Sequence, residues 1–393
     1  MWGEGSDGQL GHGTKTNMLY PEEIKQELEN LNIKQVSCGG YHTVCITIEG
    51  YVYSWGKNSS GQLGQETFLT ILQPKKILYQ EQNEGNMYIP NIVKVYNQIK
   101  NQEIRCFYPI HDENLIKQNF LSQELVDIKL GFYHCIGLTN AGEIYVWGSN
   151  QYGQHGISSQ QILAQYKENS RFIRHISSKE LTTESFPTLV SFFDIKEQRI
   201  VTQIACGAEY CMAIENKRTV YAWGKNTEGQ LGLGFVTSFV EQPSKLSTFE
   251  GLLMKQVECG ENHSLFLTDS GKIYTCGSYL YGKLGLGQIS NNQIIPQLIK
   301  GIENVEKIAC GSNHSMALVR LQENGGNENN NHNNYINKVM ILYTWGSGFQ
   351  SKLGHGDQDD VYEPFQIENC SFEKSRSNTG QKLNEFSIIY MGI

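Results

Sequence analysis

Histidines recur in this chain at a fixed place, and a set of imidazoles is the first chemistry that the sequence offers. The histidines at this place are His42, His134, His263 and His314. Four imidazoles are a metal-ligand set by type, but zinc–nitrogen bonds are only about 2 Å long. Each histidine belongs to a different copy of a repeat, and Tyr210 takes the place in a further copy. We therefore expect buried histidines hydrogen-bonded to backbone, and no metal-binding residue.

Two other strings match ligand-binding motifs only in part. GlySerTyrLeuTyrGlyLys at 277–283 matches a phosphate-binding loop up to its lysine, but Leu284 stands where Ser or Thr would bind magnesium. AspGlnAspAsp at 357–360 begins like a calcium loop, but Val361 and Tyr362 stand where a ligand and a turn glycine are needed. The sequence shows no nucleophile triad and no paired carboxylates. We expect no catalytic residue, no cofactor-binding residue and no cofactor.

Two repeated phrases indicate which elements position these residues. WGKNTEGQLGLG at Trp223–Gly234 has close relatives at Trp2–Gly13 and Trp55–Gln65. More degenerate copies begin at Trp147, Cys276 and Trp345. A second phrase, of the type CysGlyxxHisThr, begins at Cys38, Leu130, Cys206, Cys259 and Cys310. The second phrase precedes the first by 17 residues in four of its five copies, so this unit is rigid and the variable spacers are loops.

The rigid unit has the pattern of a β-hairpin. Apolar residues alternate on both sides of the turn residue Gly50, at Val44, Ile46, Ile48, Tyr51, Tyr53 and Trp55. A Pro-led segment with a further strand pattern separates consecutive units, for example at 243–257. Each repeat thus has about four short strands in roughly 50 residues, which is typical of a β-propeller blade.

The paired phrases resemble the regulator of chromosome condensation family, whose fold is a seven-bladed β-propeller. We expect an all-β chain, with 1–393 as one propeller domain. The 92-residue gap between Trp55 and Trp147 is either two blades, one eroded, or one blade with an insertion, which would give six. We favour two, because GluIleArgCysPheTyr at 103–108 is similar to GluIleTyrValTrpGly at 143–148. The N-terminal segment and 387–393 are expected to share a split blade that closes the ring.

Composition limits the binding partners and cellular compartments to be expected. A net charge of −8 argues against unaided binding to DNA, which needs a basic surface. No run of 18 apolar residues is present, so no membrane contact is expected. We expect a soluble intracellular protein, cytoplasmic or cytoskeletal and ciliary rather than nuclear. Cysteines recur at one repeat position, Cys38, Cys206, Cys259 and Cys310, and are expected to be reduced packing residues.

Three inserts depart from the repeat, at about 65–129, 157–186 and 321–338. The second carries apolar residues at roughly helical spacing with a basic group, Arg171, Arg174, His175 and Lys179. This group is the candidate partner-binding site, as a basic amphipathic helix, with a solvated loop as the alternative.

Two functions follow from these observations. The first is a non-enzymatic interaction platform in a larger intracellular assembly, for instance a cytoskeletal or axonemal one, with other proteins of that complex as partners. The second, implied by the resemblance, is guanine-nucleotide exchange on a Ran-like small GTPase. The family's exchange factor uses a two-stranded wedge, and neither long insert shows an obvious two-strand pattern with a tight turn.

Overall fold

Four-stranded antiparallel sheets recur along the chain, one for each complete copy of the repeat. A computed structural model describes residues 1–25, 27–65, 67–77, 93–97, 102–106, 124–158, 183–193, 198–321 and 339–373. These residues contain five such sheets, and a sixth sheet has two strands. The all-β propeller architecture predicted from the repeats is confirmed. Among these residues, no helix has the length and apolar character needed to cross a bilayer.

Each blade consists of four strands that are consecutive in the chain. Blade 1 contains β1 (Ile33–Cys38), β2 (His42–Thr47), β3 (Val52–Gly56) and β4 (Ile71–Lys76). A separate hairpin follows, with β5 (Val93–Asn97) and β6 (Gln102–Cys106). Blade 2 contains β7 (Leu125–Leu130), β8 (His134–Thr139), β9 (Ile144–Ser149) and β10 (Thr183–Leu189).

The remaining three blades follow the same order. Blade 3 contains β11 (Val201–Cys206), β12 (Tyr210–Glu215), β13 (Thr219–Asn226) and β14 (Thr237–Lys245). Blade 4 contains β15 (Met254–Cys259), β16 (His263–Thr268), β17 (Ile273–Gly277) and β18 (Gln293–Leu298). Blade 5 contains β19 (Val305–Cys310), β20 (His314–Arg320), β21 (Val339–Gly346) and β22 (Val361–Glu373). The first strands of consecutive blades contact one another, so they line the centre of the ring.

The conserved register of the hairpins places the repeat tryptophans at equivalent positions. Each tryptophan of the third strand lies opposite the second residue of the second strand, as Trp55 does with Thr43 and Trp223 with Cys211. Trp147 and Trp345 have the same register. The four indoles are at most 1% exposed. The predicted equivalence of these tryptophans is confirmed.

The hydrophobic core lies between neighbouring blades. Trp147 packs with Val44 and Ile46 of blade 1, and Trp345 packs with Leu265 of blade 4. The glycine-rich phrase of one blade covers the indole of the next. At Gly285, φ is +67° and a Cβ atom would lie 2.7 Å from Nε1 of Trp345, so this position requires glycine. The repeat therefore specifies contacts between blades as well as strands within them.

The seven-blade count is not confirmed. Blades 1 and 2 are direct neighbours, because the Gln35 amide donates to Asp127 Oδ1 at 2.8 Å and Trp147 Nε1 donates to the Gln62 carbonyl at 3.0 Å. Strand β6, which includes part of the 103–108 string, pairs with β5 in the two-stranded sheet. The prediction of an eroded blade in this gap is therefore wrong, and the alternative, an insertion, agrees with the structure.

The N-terminal segment contributes the outer part of a further blade. Gly3 and Met18 form an antiparallel bridge that corresponds to the pair Gly224 and Val240 in blade 3. The Gln9 carbonyl accepts a hydrogen bond from Trp55 Nε1 at 2.9 Å, so this segment covers blade 1. Trp2 is 45% exposed, unlike the other repeat tryptophans. The inner strands expected from 387–393 lie outside the described residues, so closure of the ring by both ends stays a prediction.

Candidate binding face and interblade histidines

One face of the ring carries the connections between the first and second strands of the blades, and we call it the loop face. These connections are residues 39–41, 131–133, 207–209, 260–262 and 311–313. Backbone hydrogen bonds join neighbouring connections: Gly40 N–H donates to the Gly131 carbonyl at 3.2 Å, and Glu261 N–H donates to the Ser312 carbonyl at 3.0 Å. The loop face is thus built on fixed backbone, which favours a preformed surface for a partner.

An aromatic patch lies on the blade 1 and blade 2 side of this face. Tyr41 and Tyr133 stack with ring centroids 5.3 Å apart, and Phe132 lies edge-on to Tyr41 at 6.4 Å. Lys57 Nζ lies 4.5 Å from the Tyr41 centroid and 5.6 Å from the Tyr133 centroid. All four side chains are partly exposed. Exposed aromatic rings with a cation above them are typical of residues that bind other proteins.

The blade 3 to blade 5 side of the loop face is polar and acidic. Lys225 Nζ donates to Glu209 at 2.6 Å. Burial lowers the pKa of Lys225, but the Glu209 carboxylate outweighs that effect and the net pKa is raised. Glu261 accepts hydrogen bonds from Ser312 Oγ at 2.7 Å and Asn313 Nδ2 at 3.2 Å. The loop face therefore changes from aromatic to polar across the ring.

Sequence reasoning missed the aromatic patch, because it looked for function only in the inserts. The signal was present within the repeat. The residue before the repeat histidine is Tyr41 in blade 1 and Tyr133 in blade 2, whereas blades 3, 4 and 5 carry Glu209, Asn262 and Asn313. A residue that varies at an exposed repeat position does not contribute to the shared core.

The partner-binding residues predicted from the sequence, Arg171, Arg174, His175 and Lys179, lie outside the described residues. Their insert separates β9 from β10, and the residues on either side of it are described. Thr183, the first residue of β10, pairs with Ser149, the last residue of β9. Ser149 N–H donates to the Tyr133 carbonyl at 2.7 Å. The insert therefore rejoins the propeller beside the aromatic patch.

The other two inserts join the ring on the opposite face, where the turns between second and third strands lie. We call this the turn face. One insert follows Ile77 after β4, and another connects β20 to β21 in blade 5. The first of these inserts contains the β5–β6 hairpin, so the expectation that neither long insert has a two-stranded element is wrong. The pattern was missed because β5 is flanked by Asn and Gln residues, and asparagine is depleted in strands.

The phosphate-loop match at 277–283 does not form a nucleotide site. Its residues leave β17 through the single-turn 3₁₀ helix Leu280–Gly282, not through a strand-to-helix loop. Lys283 is 2% exposed and donates to Asn313 Oδ1 at 2.7 Å. Burial lowers the pKa of Lys283. The lysine joins blade 4 to blade 5 and does not face a ligand.

The repeat histidines bond to side chains of the next blade. His42 Nε2 lies 3.1 Å from Cys135 Sγ, and His263 Nε2 lies 2.9 Å from Ser315 Oγ. Tyr210 makes the same contact with Ser264 at 3.0 Å. The expected backbone partner is therefore wrong for His42. Among the described residues, no metal-ligand cluster contains two of the repeat histidines, as their separation along the ring predicts.

Eight of the ten cysteines have side chains that the structure describes, and all eight are free thiols. Cys259 is buried and Cys206 and Cys310 are partly buried, as expected for packing residues. Cys38 is exposed, against expectation, because blade 1 has a less covered inner strand: Val36 is 46% exposed, whereas the equivalent Val257 is fully buried.

The buried histidines make stability depend on pH. Burial, and next the charge of His134, lower the pKa of His42 to about 3, and burial lowers that of His314 to about 4. Burial also holds the pKa of His263 well below its usual value. Unfolding exposes these rings to protonation near their ordinary pKa of about 6.5. Their contribution to the free energy of unfolding is therefore full above that pH and is lost as pH falls towards 3–4.

We therefore expect the free energy of unfolding to fall as pH is lowered from 7 to 5, by up to about 1.4 kcal/mol per pH unit for each histidine. Denaturant titrations at several pH values measure this slope. The variant His263→Tyr copies the Tyr210–Ser264 contact and should have a shallower slope. An unchanged slope in that variant would contradict the assignment.

Comparison with known proteins gives one family for nearly the whole chain. The family model of the RCC1-like domain matches residues 1–383. The ultraviolet-B receptor UVR8 of Arabidopsis thaliana is 26% identical and aligns over 98% of this chain and 80% of its own length. The regulator of chromosome condensation of Mus musculus is 27% identical over 93% of this chain and 83% of its own length. Human HERC6, a probable E3 ubiquitin-protein ligase, is 28% identical, but the match covers 25% of its length.

Solved structures agree on the fold. Human WBSCR16 superposes with a TM-score of 0.61 at 22% identity, over 93% of this chain and 75% of the other. Prp20p of Saccharomyces cerevisiae superposes with a TM-score of 0.52 at 22% identity, over 94% and 85% of the two chains; that structure was described together with its binding to Gsp1p and histones. At these identities the superpositions establish architecture.

Proposed function

Because this chain belongs to the RCC1-like domain family, we propose that it works as a non-enzymatic interaction platform, a structural subunit of a larger intracellular assembly, and that it binds its partner through the loop face. The observation that carries the proposal is the aromatic patch of Tyr41, Phe132, Tyr133 and Lys57, beside which the basic insert rejoins the ring. Aromatic and basic groups together suit a partner with an acidic surface.

The fold supports a platform rather than a catalyst. Titratable groups whose pKa is lowered by burial, such as His42 and Lys283, lie between blades and bond to neighbouring side chains. The polar groups of the loop face, such as Glu209 and Lys225, form ion pairs with each other. Rigid backbone, partly exposed rings and satisfied charges are features of a preformed binding surface.

Size fractionation of native extract tests whether the protein belongs to an assembly. We expect it to elute together with other proteins, far above the mass of a single chain, and to shift to the monomer position in high salt, because basic and acidic surfaces separate when charges are screened. Elution as a monomer at low salt would contradict the platform.

A second function, guanine-nucleotide exchange on a Ran-like small GTPase, is favoured by one specific observation. The β5–β6 hairpin pairs five residues on each strand, from Val93 with Cys106 to Asn97 with Gln102. A projecting hairpin can act as a wedge on a partner, and the yeast relative Prp20p has been described with its binding to Gsp1p.

Release of a fluorescent guanine nucleotide from a Ran-like GTPase separates the two functions. The platform proposal expects the release rate to stay the same when the protein is added below stoichiometry. Acceleration that disappears when 93–106 is replaced by a short flexible linker would assign exchange to the hairpin. Acceleration that survives this replacement would place exchange elsewhere on the ring, and either result would reject the platform.

A further inference from the structure

We propose that the interface between blades 2 and 3 binds a zinc ion through Cys206, Cys211, His134 and His155, a set that we call the sulfur–imidazole cluster. This site lies inside the ring wall, next to the loop-face connections 131–133 and 207–209. We expected no metal-binding residue because the four repeat histidines are too far apart to share one ion. That prediction did not include the cysteines that contact His134.

Three ligand atoms of the cluster already lie together. His134 Nε2 is 3.1 Å from Cys206 Sγ and 3.3 Å from Cys211 Sγ, and the three atoms lie within 4.8 Å of one another. Zinc bonds of about 2.0–2.3 Å in a tetrahedron place nitrogen and sulfur ligands roughly 3.6 Å apart. Small movements of the side chains therefore bring these atoms to bonding distance.

We assign the fourth ligand to His155, which lies outside the group of three ligand atoms and would have to turn towards it. His155 is 1% exposed, and its Nε2 has no hydrogen-bond partner among the described residues. The next blade closes over it, because the carbonyl of the preceding Gln154 accepts from Trp223 Nε1 at 2.9 Å and faces Cys211 Sγ at 3.5 Å. Burial, and next the neighbouring His134, lower the pKa of His155 to about 3. A buried imidazole nitrogen without a partner is costly, and a metal ion would satisfy it.

The repeat itself shows that this interface is different. The position of His155 is leucine in the other copies of the glycine-rich phrase, namely Leu10, Leu63, Leu231, Leu284 and Leu353. The position of Cys211 is serine in blades 4 and 5, as Ser264 and Ser315, and the position of Cys206 is Leu130 in blade 2. Within the described residues, His134, Cys206 and Cys211 are the group of ligand atoms that lie close enough together to share an ion. The departure from leucine at a buried position indicates a specific role.

Charge balance favours a divalent ion at this place. Two thiolates and two neutral imidazoles with one zinc ion carry no net charge, so the complex can be buried without an unpaired charge. Zinc would join His134 and His155 of blade 2 to Cys206 and Cys211 of blade 3. The ion would therefore hold two neighbouring blades together, as structural zinc sites do in small domains.

The test measures metal in the full chain purified under reducing conditions without affinity resins that carry metal. We expect about one zinc per chain by elemental analysis, and cobalt exchange should give the thiolate-to-cobalt absorption in the near ultraviolet. The variants His155→Leu and Cys211→Ser each restore a residue that the repeat uses elsewhere, so both should fold. Each should lower the zinc content to below about one fifth of wild type.

The interface between blades 1 and 2 provides a matched control. Cys135→Ser removes the cysteine that contacts His42, where Leu63 and Leu130 occupy the other two positions, and it should keep the full zinc content. Thermal unfolding should shift to lower temperature with a chelator in wild type and in Cys135→Ser, but not in His155→Leu. Folded wild type without zinc and without cobalt absorption would overturn the proposal. A Cys206–Cys211 disulfide found by mass spectrometry in protein purified under reducing conditions would also overturn it.

Discussion

Replacement of Trp223 by alanine is expected to lower the free energy of unfolding by about 3–5 kcal/mol, the range for removal of a large buried aromatic side chain. Trp223 is fully buried and packs between blades 2 and 3, against Ile136, Val146 and Phe193. Its Nε1–H donates to the Gln154 carbonyl at 2.9 Å. The substitution leaves a cavity at a blade interface and a carbonyl without this donor.

Trp2→Ala is the matched control for this prediction. Trp2 begins the N-terminal copy of the same phrase, but its side chain is 45% exposed. Its loss should cost about half as much or less, because almost half of the side-chain surface stays in water. Denaturant titration of both variants gives the two values. A similar small cost for both would mean that the Trp223 position is not part of the core.

Deletion of the second insert is expected to leave a folded propeller and to weaken partner binding by at least about tenfold, or 1.4 kcal/mol. The deletion should remove 159–182 only, because Ile157 is buried against the blade 2 and blade 3 core and Thr183 begins β10. A short flexible linker then joins Ser158 to Thr183. Arg171→Glu combined with Arg174→Glu should lose part of the same affinity, because like charges would face the acidic partner surface.

Deletion of 322–338 controls for the loss of a surface segment. This insert joins β20 to β21 on the turn face, and its removal should leave the affinity unchanged. Thermal unfolding of both deletion variants confirms that the blades are intact. Full partner affinity in the 159–182 deletion variant would mean that the interface lies on the bare loop face or on the first insert.

The repeat made the blades predictable from the sequence. Each copy carries its strands and its turn glycine within 17 residues, so local alternation was sufficient to place β2, β3 and Trp55 in register. Contacts between blades were harder to predict from the sequence, because the partner of His42 is Cys135, some 93 residues later in the chain. A repeat phrase describes one blade and does not state which side chain of the next blade it meets.

The eroded blade between blades 1 and 2 was wrongly predicted for a related reason. The alternation at 103–108 correctly indicates a strand, as β6 shows, but alternation does not identify the strand with which it pairs. Pairing with β5 rather than with β7 makes the segment an insertion. Function was similarly sought in the inserts, whereas Tyr41 and Tyr133 lie inside the repeat and become neighbours only when blades 1 and 2 pack together.

Quantitative capture of partners from native extract tests the loop-face platform most directly. Wild-type protein, the double variant Tyr41→Ala with Tyr133→Ala, and the control Tyr51→Ala are immobilised in equal amounts, and bound proteins are quantified by mass spectrometry. Tyr51 is 47% exposed on the turn face and carries Lys76 over its ring, so it matches the patch in chemistry but not in position. The account predicts that the double variant loses its main partner by about tenfold or more, as for interface hot spots, while Tyr51→Ala retains it. Equal retention by the double variant and wild type, with both proteins folded, would contradict binding through the loop face.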